Sequence, residues 1–200
     1  MLQGTLKENY RRKIMYDKIE LRIPLTIEAA ASLRAGDMVY LTGEIYTARD
    51  AAHQRLFDDI LAGRQLPFDF NGAVVYYAGP CPAKPGKPIG SVGPTTAGRM
   101  DKFSPLLIEQ GLRFMIGKGL RDQTVIDKMV EHGGIYFAAI GGAAALMAKC
   151  VVNAEIIAYP ELGTEAVRKL EVKDFPAIVA IDSRGVNYYD IGRKKYEVVS

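Results

Sequence analysis

Residues 93–101 read GPTTAGRMD: a Gly-Pro turn, two threonines, a glycine, an arginine and a closing aspartate. The run carries no Walker lysine, no GxSxG serine and no metal-ligand spacing, so phosphate cradling and serine acyl transfer are not what it encodes. Two hydroxyls, Thr95 and Thr96, stand beside the guanidinium of Arg99 on a glycine-flanked turn. Two other stretches offer comparable groups. YTARDAAH puts Arg49 at a strand-to-helix turn with His53 one helical turn later, and IGKGLRD puts Lys118 between two glycines at a strand end. Glycine at such points lets the backbone approach a ligand and offers N–H donors to an anion. Two arginines and a lysine with hydroxyls between them suit a small dicarboxylate, since Arg meets a carboxylate with a planar fork and Lys with a point charge.

Each group also has an ordinary structural use. Arg49 precedes Asp50 and can form a local ion pair, and a histidine on a helix face such as His53 more often packs or caps than catalyses. A lysine in a glycine turn is commonly just solvated. The Thr-Thr pair can cap a helix. His132, before Gly133 at a helix C-terminus, sits where a cation is favoured anyway and is set aside. Tyr76, Tyr77 and the Tyr188–Tyr189 pair read most simply as strand residues.

The elements that must position these groups follow from periodicity. KIELRIPL (18–25) alternates as a strand does, and TIEAAASLRAGD reads as a helix capped by Thr26 and ended at Gly36. MVYLTGEIYTA (38–48) is β-branched and aromatic, hence a strand or a bent pair. The segment 49–63 places Ala52, Leu56, Ile60 and Leu61 on one stripe and predicts an amphipathic helix ending at Gly63. AVVYYAGP (73–80) is a buried-type strand, and the Pro/Gly-dense CPAKPGKPIGSVGP after it excludes regular structure. SPLLIEQGL predicts a helix with Ser104 as cap and Pro105 in its first turn. The second half alternates strand RFMIG, helix LRDQTVIDKMVEHG, strand IYFAAIG, helix GAAALMAKC, strand VVNAEIIAYP, short helix GTEAVRKLEV (163–172) and strand PAIVAIDS. Such alternation argues for an α/β fold with parallel pairings, and ligands of such sheets gather at the carboxyl ends of strands.

Bulk composition is consistent with that. A hydrophobic fraction of 48% in 200 residues supplies one sizeable core, excluding disordered and collagen-like classes. A net charge of +3 with scattered basic residues gives no nucleic-acid surface. No segment is apolar for long enough to span a membrane, and the N-terminal stretch has no apolar signal core, so a reduced, cytoplasmic setting is expected. Met15 is a candidate alternative start, and residues 1–15 are expected to form a flexible extension of a single domain over 16–200. Cys81 and Cys150 lie too far apart in sequence to make a zinc or iron–sulfur site by themselves.

The stretches GEIYTARDAAH, YYAGPCPAKPGKPIGSVGPTTAGRMD, GKG, YFAAIGGAAAL and LGTEAVRKLEVKDFPAIVAID occur in this order, and over about 16–190 the chain resembles the β subunit of the class I fumarate hydratase and tartrate dehydratase family. In single-chain members the same stretch is the C-terminal domain. The resemblance implies a swivelling β/β/α domain and the reversible hydration of an unsaturated dicarboxylate such as fumarate to L-malate. It implies a catalytic [4Fe-4S] cluster held by three cysteines of a separate α subunit, so that Cys81 is not a cluster ligand and this chain alone is inactive; an α2β2 assembly fits the family. By motif match it assigns Arg49, Arg99 and Lys118 to substrate carboxylates, with Thr96 at the same turn. Thr95, four residues before Arg99, becomes the candidate base, its alkoxide stabilised by Arg99 or Lys118. Thr96 is alternatively a cap for the following turn. A non-catalytic anion-binding module on the same scaffold is the reading from another class.

Overall fold

The computed structural model describes residues 18–139 and 144–196. The expected extension over 1–15, Met15 and the IGGA part of YFAAIGGAAAL lie outside the described residues.

Among the described residues, seven strands form one mixed sheet in the order β1-β2-β3-β4-β5-β7-β6. They are β1 Ile19–Arg22, β2 Met38–Thr47, β3 Val74–Tyr76, β4 Phe114–Gly117, β5 Ile135–Ala138, β6 Val151–Ala158 and β7 Val167–Ile181. Strands β1 to β5 pair in parallel, with Thr47 beside Tyr76 and Tyr76 beside Ile116. β7 is antiparallel to all its neighbours. One edge of it follows β2, from Arg168 to Ile178, while the other edge pairs first with β6 and then with β5. Because β2 carries β3 on its remaining edge, the pairings β2-β3-β4-β5-β7 close into a ring.

Period-two burial turns this ring into layers. Val74, Tyr76, Phe114, Ile116, Ile135 and Phe137 face a core inside the ring, where they meet Leu41, Ile45, Leu170 and Phe175. The intervening Val75, Tyr77, Met115 and Tyr136 point the other way into a second core. That core is covered by α2 (Asp50–Leu61), α3 (Ser104–Glu109) and α4 (Gln123–His132), and α1 (Ile27–Ser32), α5 (Ala144–Lys149) and α6 (Tyr188–Tyr196) complete the helices. The central strands are thus apolar on both faces, as parallel strands between layers must be. Among the described residues no helix is long and apolar enough to cross a membrane.

The main departure from expectation is 163–172. It is not a helix: a short 3-10 turn, Pro160–Glu165, leads directly into the fifteen-residue β7. The charges of VRKLEVKD suggest a solvated helix face, yet Val167, Leu170 and Val172 are buried and the backbone is paired on both edges. Long-range pairing overrides local propensity here. Other differences are smaller. Thr26 does cap α1, its Oγ1 accepting from Ala29 N at 3.1 Å, but that helix stops at Ser32 rather than Gly36. Leu61 is 67% exposed, because the buried stripe of α2 runs Ala52, Leu56, Asp59. Ser104 is the first residue of α3 and not its cap. Tyr188 and Tyr189 open α6 instead of lying in a strand.

Candidate active site

The parallel register brings together three of the sequence-selected stretches. Thr47, Tyr76 and Ile116 are neighbours across β2, β3 and β4, so the chain segments carrying Arg49, Ala78 and Lys118 leave the sheet side by side at its carboxyl end. The GPTTAGRMD run is then stitched onto these ends by backbone bonds. Thr95 N donates to Tyr77 O at 2.6 Å, Lys118 N donates to Thr95 O at 3.2 Å, and Ala97 N donates to Lys118 O at 2.8 Å. Thr95 and Lys118 are therefore fixed neighbours through their main chains. After them Ala97–Met100 forms a single 3-10 turn that carries Arg99. Thr96 stands at its cap position, but its side chain makes no capping bond, so the cap alternative is not realised.

The two arginines converge on one carboxylate. Arg99 Nε donates to Asp50 Oδ1 at 2.8 Å, and Arg49 Nε faces Asp50 Oδ2 at 3.4 Å. Arg49 also reaches Glu165 Oε1 through its terminal nitrogen at 2.8 Å. The local ion pair that the sequence allowed for Arg49 and Asp50 is present, and Asp50 doubles as a bridge to Arg99. The side chain of Arg99 is 54% exposed and that of Arg49 only 26%. Lys118 is exposed and makes no ion pair among the described residues. Arg49 and Arg99 are balanced by Asp50 and Glu165, and Lys118, joined to Thr95 through the backbone, adds a further positive charge at these strand ends, suited to an entering anion. Arg49 Nε and Asp50 Oδ2 are both shielded from solvent without a hydrogen bond, an arrangement that a bound water or ligand can complete. Gly79 matters at this point: a Cβ there would lie 3.2 Å from Arg49 Cδ, so the arginine packs against bare backbone. Thr95 is half-buried, and its hydroxyl makes no hydrogen bond among the described residues.

Beneath this surface lies a second pair. Arg121 Nε donates to Asp101 Oδ1 at 2.6 Å, with side chains 0% and 3% exposed. Asp101 Oδ2 accepts from Asp122 N, Arg121 donates onward to Ser104 Oγ and Tyr77 Oη, and its guanidinium lies over the rings of Tyr77 and Tyr136. This network ties the GRMD turn to the loop after Lys118. Ser104 serves it as acceptor, while donating to Met100 O, and this is why it does not cap α3. His53 belongs to the packing. It is buried, its ring meets Tyr77 edge-on at 5.0 Å, its Nδ1 lies 3.3 Å from Arg49 O, and burial holds its pKa down to about 4. A neutral, enclosed imidazole supports Arg49 from below and does not reach the surface.

Comparison with known proteins settles the family. The model of the family described as "Fumarase C-terminus" matches residues 3–192. The chain belongs to this family. It is 46% identical over 151 residues to the anaerobic class I fumarate hydratase of Escherichia coli, covering 74% of the chain and 28% of that protein. It is 39% identical over 176 residues to fumarate hydratase 2 of Leishmania major, covering 86% of the chain and 31% of that protein. A Methanocaldococcus jannaschii chain, provisionally named L(+)-tartrate dehydratase subunit beta, is 39% identical over 180 residues, covering 86% of the chain and 92% of its own length. The chain thus spans under a third of the fumarate hydratases and nearly all of the β subunit.

For a Fumarase C-terminus chain, the donors needed for an iron–sulfur cluster are the natural question. Cys81 and Cys150 are both free thiols, Cys81 exposed in the Pro/Gly loop and Cys150 between α5 and β6. Among the described residues no group of three His, Cys, Asp or Glu could hold a metal ion. The described residues, with these two separate thiols, do not fit a [4Fe-4S] cluster. Four functional neighbours escaped the sequence reading: Asp50 as a bridge, Glu165, Asp101 and Arg121. Asp50 had a signal, adjacency to Arg49. Glu165 had none, because its segment read as helix.

Proposed function

We propose that this chain is the β half of a hydro-lyase active site acting on a small dicarboxylate, with reversible hydration of fumarate to L-malate as the leading reaction. The observation that carries the reading is the backbone pairing of Thr95 with Lys118 beside two arginines, Arg49 and Arg99, that share Asp50, all at the carboxyl ends of parallel strands in a chain of this family. In this reading residues 16–200 form one swivelling β/β/α domain. The cluster is held by a cysteine-bearing α subunit in an α2β2 assembly, and the hydroxyl end of the reaction belongs to that partner. Tartrate dehydration is the second reading, favoured by the near-complete match to a chain named as that enzyme's β subunit.

The residues of this chain serve the other end of the substrate. Arg49 and Arg99 orient a carboxylate through their forks, and Lys118 adds a point charge. In the dehydration direction the C–H bond beside that carboxylate breaks, its electrons form the double bond, and the hydroxyl leaves from the adjacent carbon. The alkoxide of Thr95 receives the proton and becomes the hydroxyl, and the departing hydroxide takes up a proton on the partner's side of the site and leaves as water. A threonine hydroxyl is a weak base unless its alkoxide is stabilised. Lys118, bonded to Thr95 through the main chain, and Arg99, one turn on, supply nearby positive charge for that.

The test is anaerobic co-production with the cluster-bearing partner, followed by assay against fumarate, malate and tartrate. Turnover of none of them overturns the reading. Thr95→Ala is expected to lower kcat by on the order of 10²–10⁴-fold with KM little changed. Wild-type turnover in that variant removes Thr95 from the chemistry.

A further inference from the structure

We infer that Glu165 is the positioning residue of this site, a carboxylate that clamps the substrate-binding Arg49 to the start of its own helix. The inference rests on the carboxylate-binding role proposed for Arg49.

The two oxygens of Glu165 are used for two different tasks. Oε2 accepts from Ala51 N at 2.7 Å, and Oε1 accepts from the terminal guanidinium nitrogen of Arg49 at 2.8 Å. Arg49 is the cap residue of α2 and forms no side-chain capping bond of its own. The open N–H at the head of this helix is therefore satisfied from across the fold, by a residue 114 positions later. One carboxylate thus fixes both the backbone from which Arg49 springs and one end of its guanidinium.

The turn that presents Glu165 is braced from both sides. Tyr159 precedes it in the left-handed region at φ 53°, and its hydroxyl donates to Asp59 on α2 at 2.6 Å. Arg55, also on α2, pairs with Glu161 at 2.8 Å and lies over the Tyr159 ring. From β7, Arg168 donates to the carbonyls of Gly163, Thr164 and Ala166. The contacts from α2 to Tyr159 and Glu161 and the three carbonyls gathered by one guanidinium hold the turn, with Tyr159 at its positive φ, in a single conformation. The bracing reaches the site through Glu165. Arg49 also packs against Gly79, whose Cβ position lies 3.2 Å from one terminal nitrogen. The arginine is thereby held by close backbone and by a carboxylate, and an ordered fork loses less freedom when substrate arrives.

Glu165→Gln in the assembled enzyme separates the two tasks, because the amide oxygen still accepts from Ala51 N while the charged partner of Arg49 is gone. The expected result is a KM for the dicarboxylate raised roughly tenfold, kcat within about threefold of wild type, and an unchanged Tm. In an Arg49→Gln background the same change adds nothing further to KM, since there is no fork left to hold. Glu165→Ala removes cap and clamp together and lowers Tm as well. If Arg49→Gln raises KM but Glu165→Gln does not, the positioning role is wrong and the site reading stands. If Arg49→Gln itself leaves KM unchanged, the carboxylate-binding reading falls and takes this inference with it. A lowered Tm in both Glu165 variants with no change in KM assigns Glu165 to folding alone and likewise overturns the proposal.

Discussion

Two arginine–aspartate pairs meet within three residues of one another at the GRMD turn, and they serve different ends. Asp101 pairs with Arg121 in the interior, both side chains closed to solvent, at 2.6 Å. Arg99 pairs with Asp50 at the surface, at 2.8 Å, with roughly half of the arginine open to water. The chemistry is the same and the surroundings are not. Each nitrogen of the Arg121 guanidinium and each oxygen of the Asp101 carboxylate is hydrogen-bonded, with Ser104, Tyr77 and the Asp122 N–H as the further partners. An arrangement of that kind cannot exchange partners without leaving a charge buried and unpaired. The surface pair can. Water and an entering carboxylate both compete for Arg99 at modest cost, so the inner pair builds the turn and the outer pair is free to work.

The largest effect should come from breaking the inner pair. Arg121→Met leaves Asp101 buried without its counter-ion and is expected to cost about 3–5 kcal/mol of stability. Urea unfolding of the full chain at neutral pH measures it. A loss below 1 kcal/mol would mean that the interior pair is not what holds the turn, and the contrast with Arg99 would lapse.

His53 extends the interior side of the comparison, since its ring packs on the same Tyr77 that Arg121 touches. Burial depresses its pKa to about 4 from an ordinary value near 6.5. Above about pH 6.5 the ring is neutral in both folded and unfolded chains and contributes no pH dependence. Below that, the unfolded chain takes up a proton that the folded chain refuses until about pH 4, so stability falls with pH across this window by about 3 kcal/mol in full. His53→Phe should flatten the decline between pH 6.5 and 4.5. An unchanged slope in the variant would show the imidazole to be solvated.

These two buried groups also mark what the sequence could tell. Strand and helix positions in the central β3–α3–β4–α4–β5 unit follow from apolar periodicity, because burial on both faces leaves an unbroken signal in residues such as Val74–Tyr76 and Phe114–Ile116. That the segments carrying Arg49, Thr95 and Lys118 lie side by side could be anticipated as strand-end placement, which parallel topology converts into adjacency. What could not be read is whatever depends on long-range pairing. β7 begins in a charged stretch that resembles a helix, and only its partners β2 and β6 make it a strand. Glu165 went unseen for that reason. Arg121 and Asp101 look like ordinary surface charges in sequence, and nothing local announces that the two will be buried against each other.

The smallest effect should come from the outer pair. Asp50→Asn leaves an amide oxygen that can still accept from Arg99 but removes the negative charge that pairs with this arginine and stands in the first turn of α2, each a partly solvated interaction. Ion pairs of that exposure are worth about 0–1 kcal/mol, and a carboxylate at a helix N-terminus adds a few tenths to about 1 kcal/mol. The expected destabilisation is about 1 kcal/mol at low salt. It should shrink toward zero in 1 M salt, where the screening length falls to about 3 Å. The loss in Arg121→Met should persist under the same conditions, because water and ions do not reach that pair. Salt therefore separates the two pairs more cleanly than size does. A deficit of Asp50→Asn that survived 1 M salt, beside an Arg121→Met deficit that disappeared, would place the rigid pair at the surface and the exchangeable one inside, and Arg99 would no longer be the arginine free to take a substrate carboxylate.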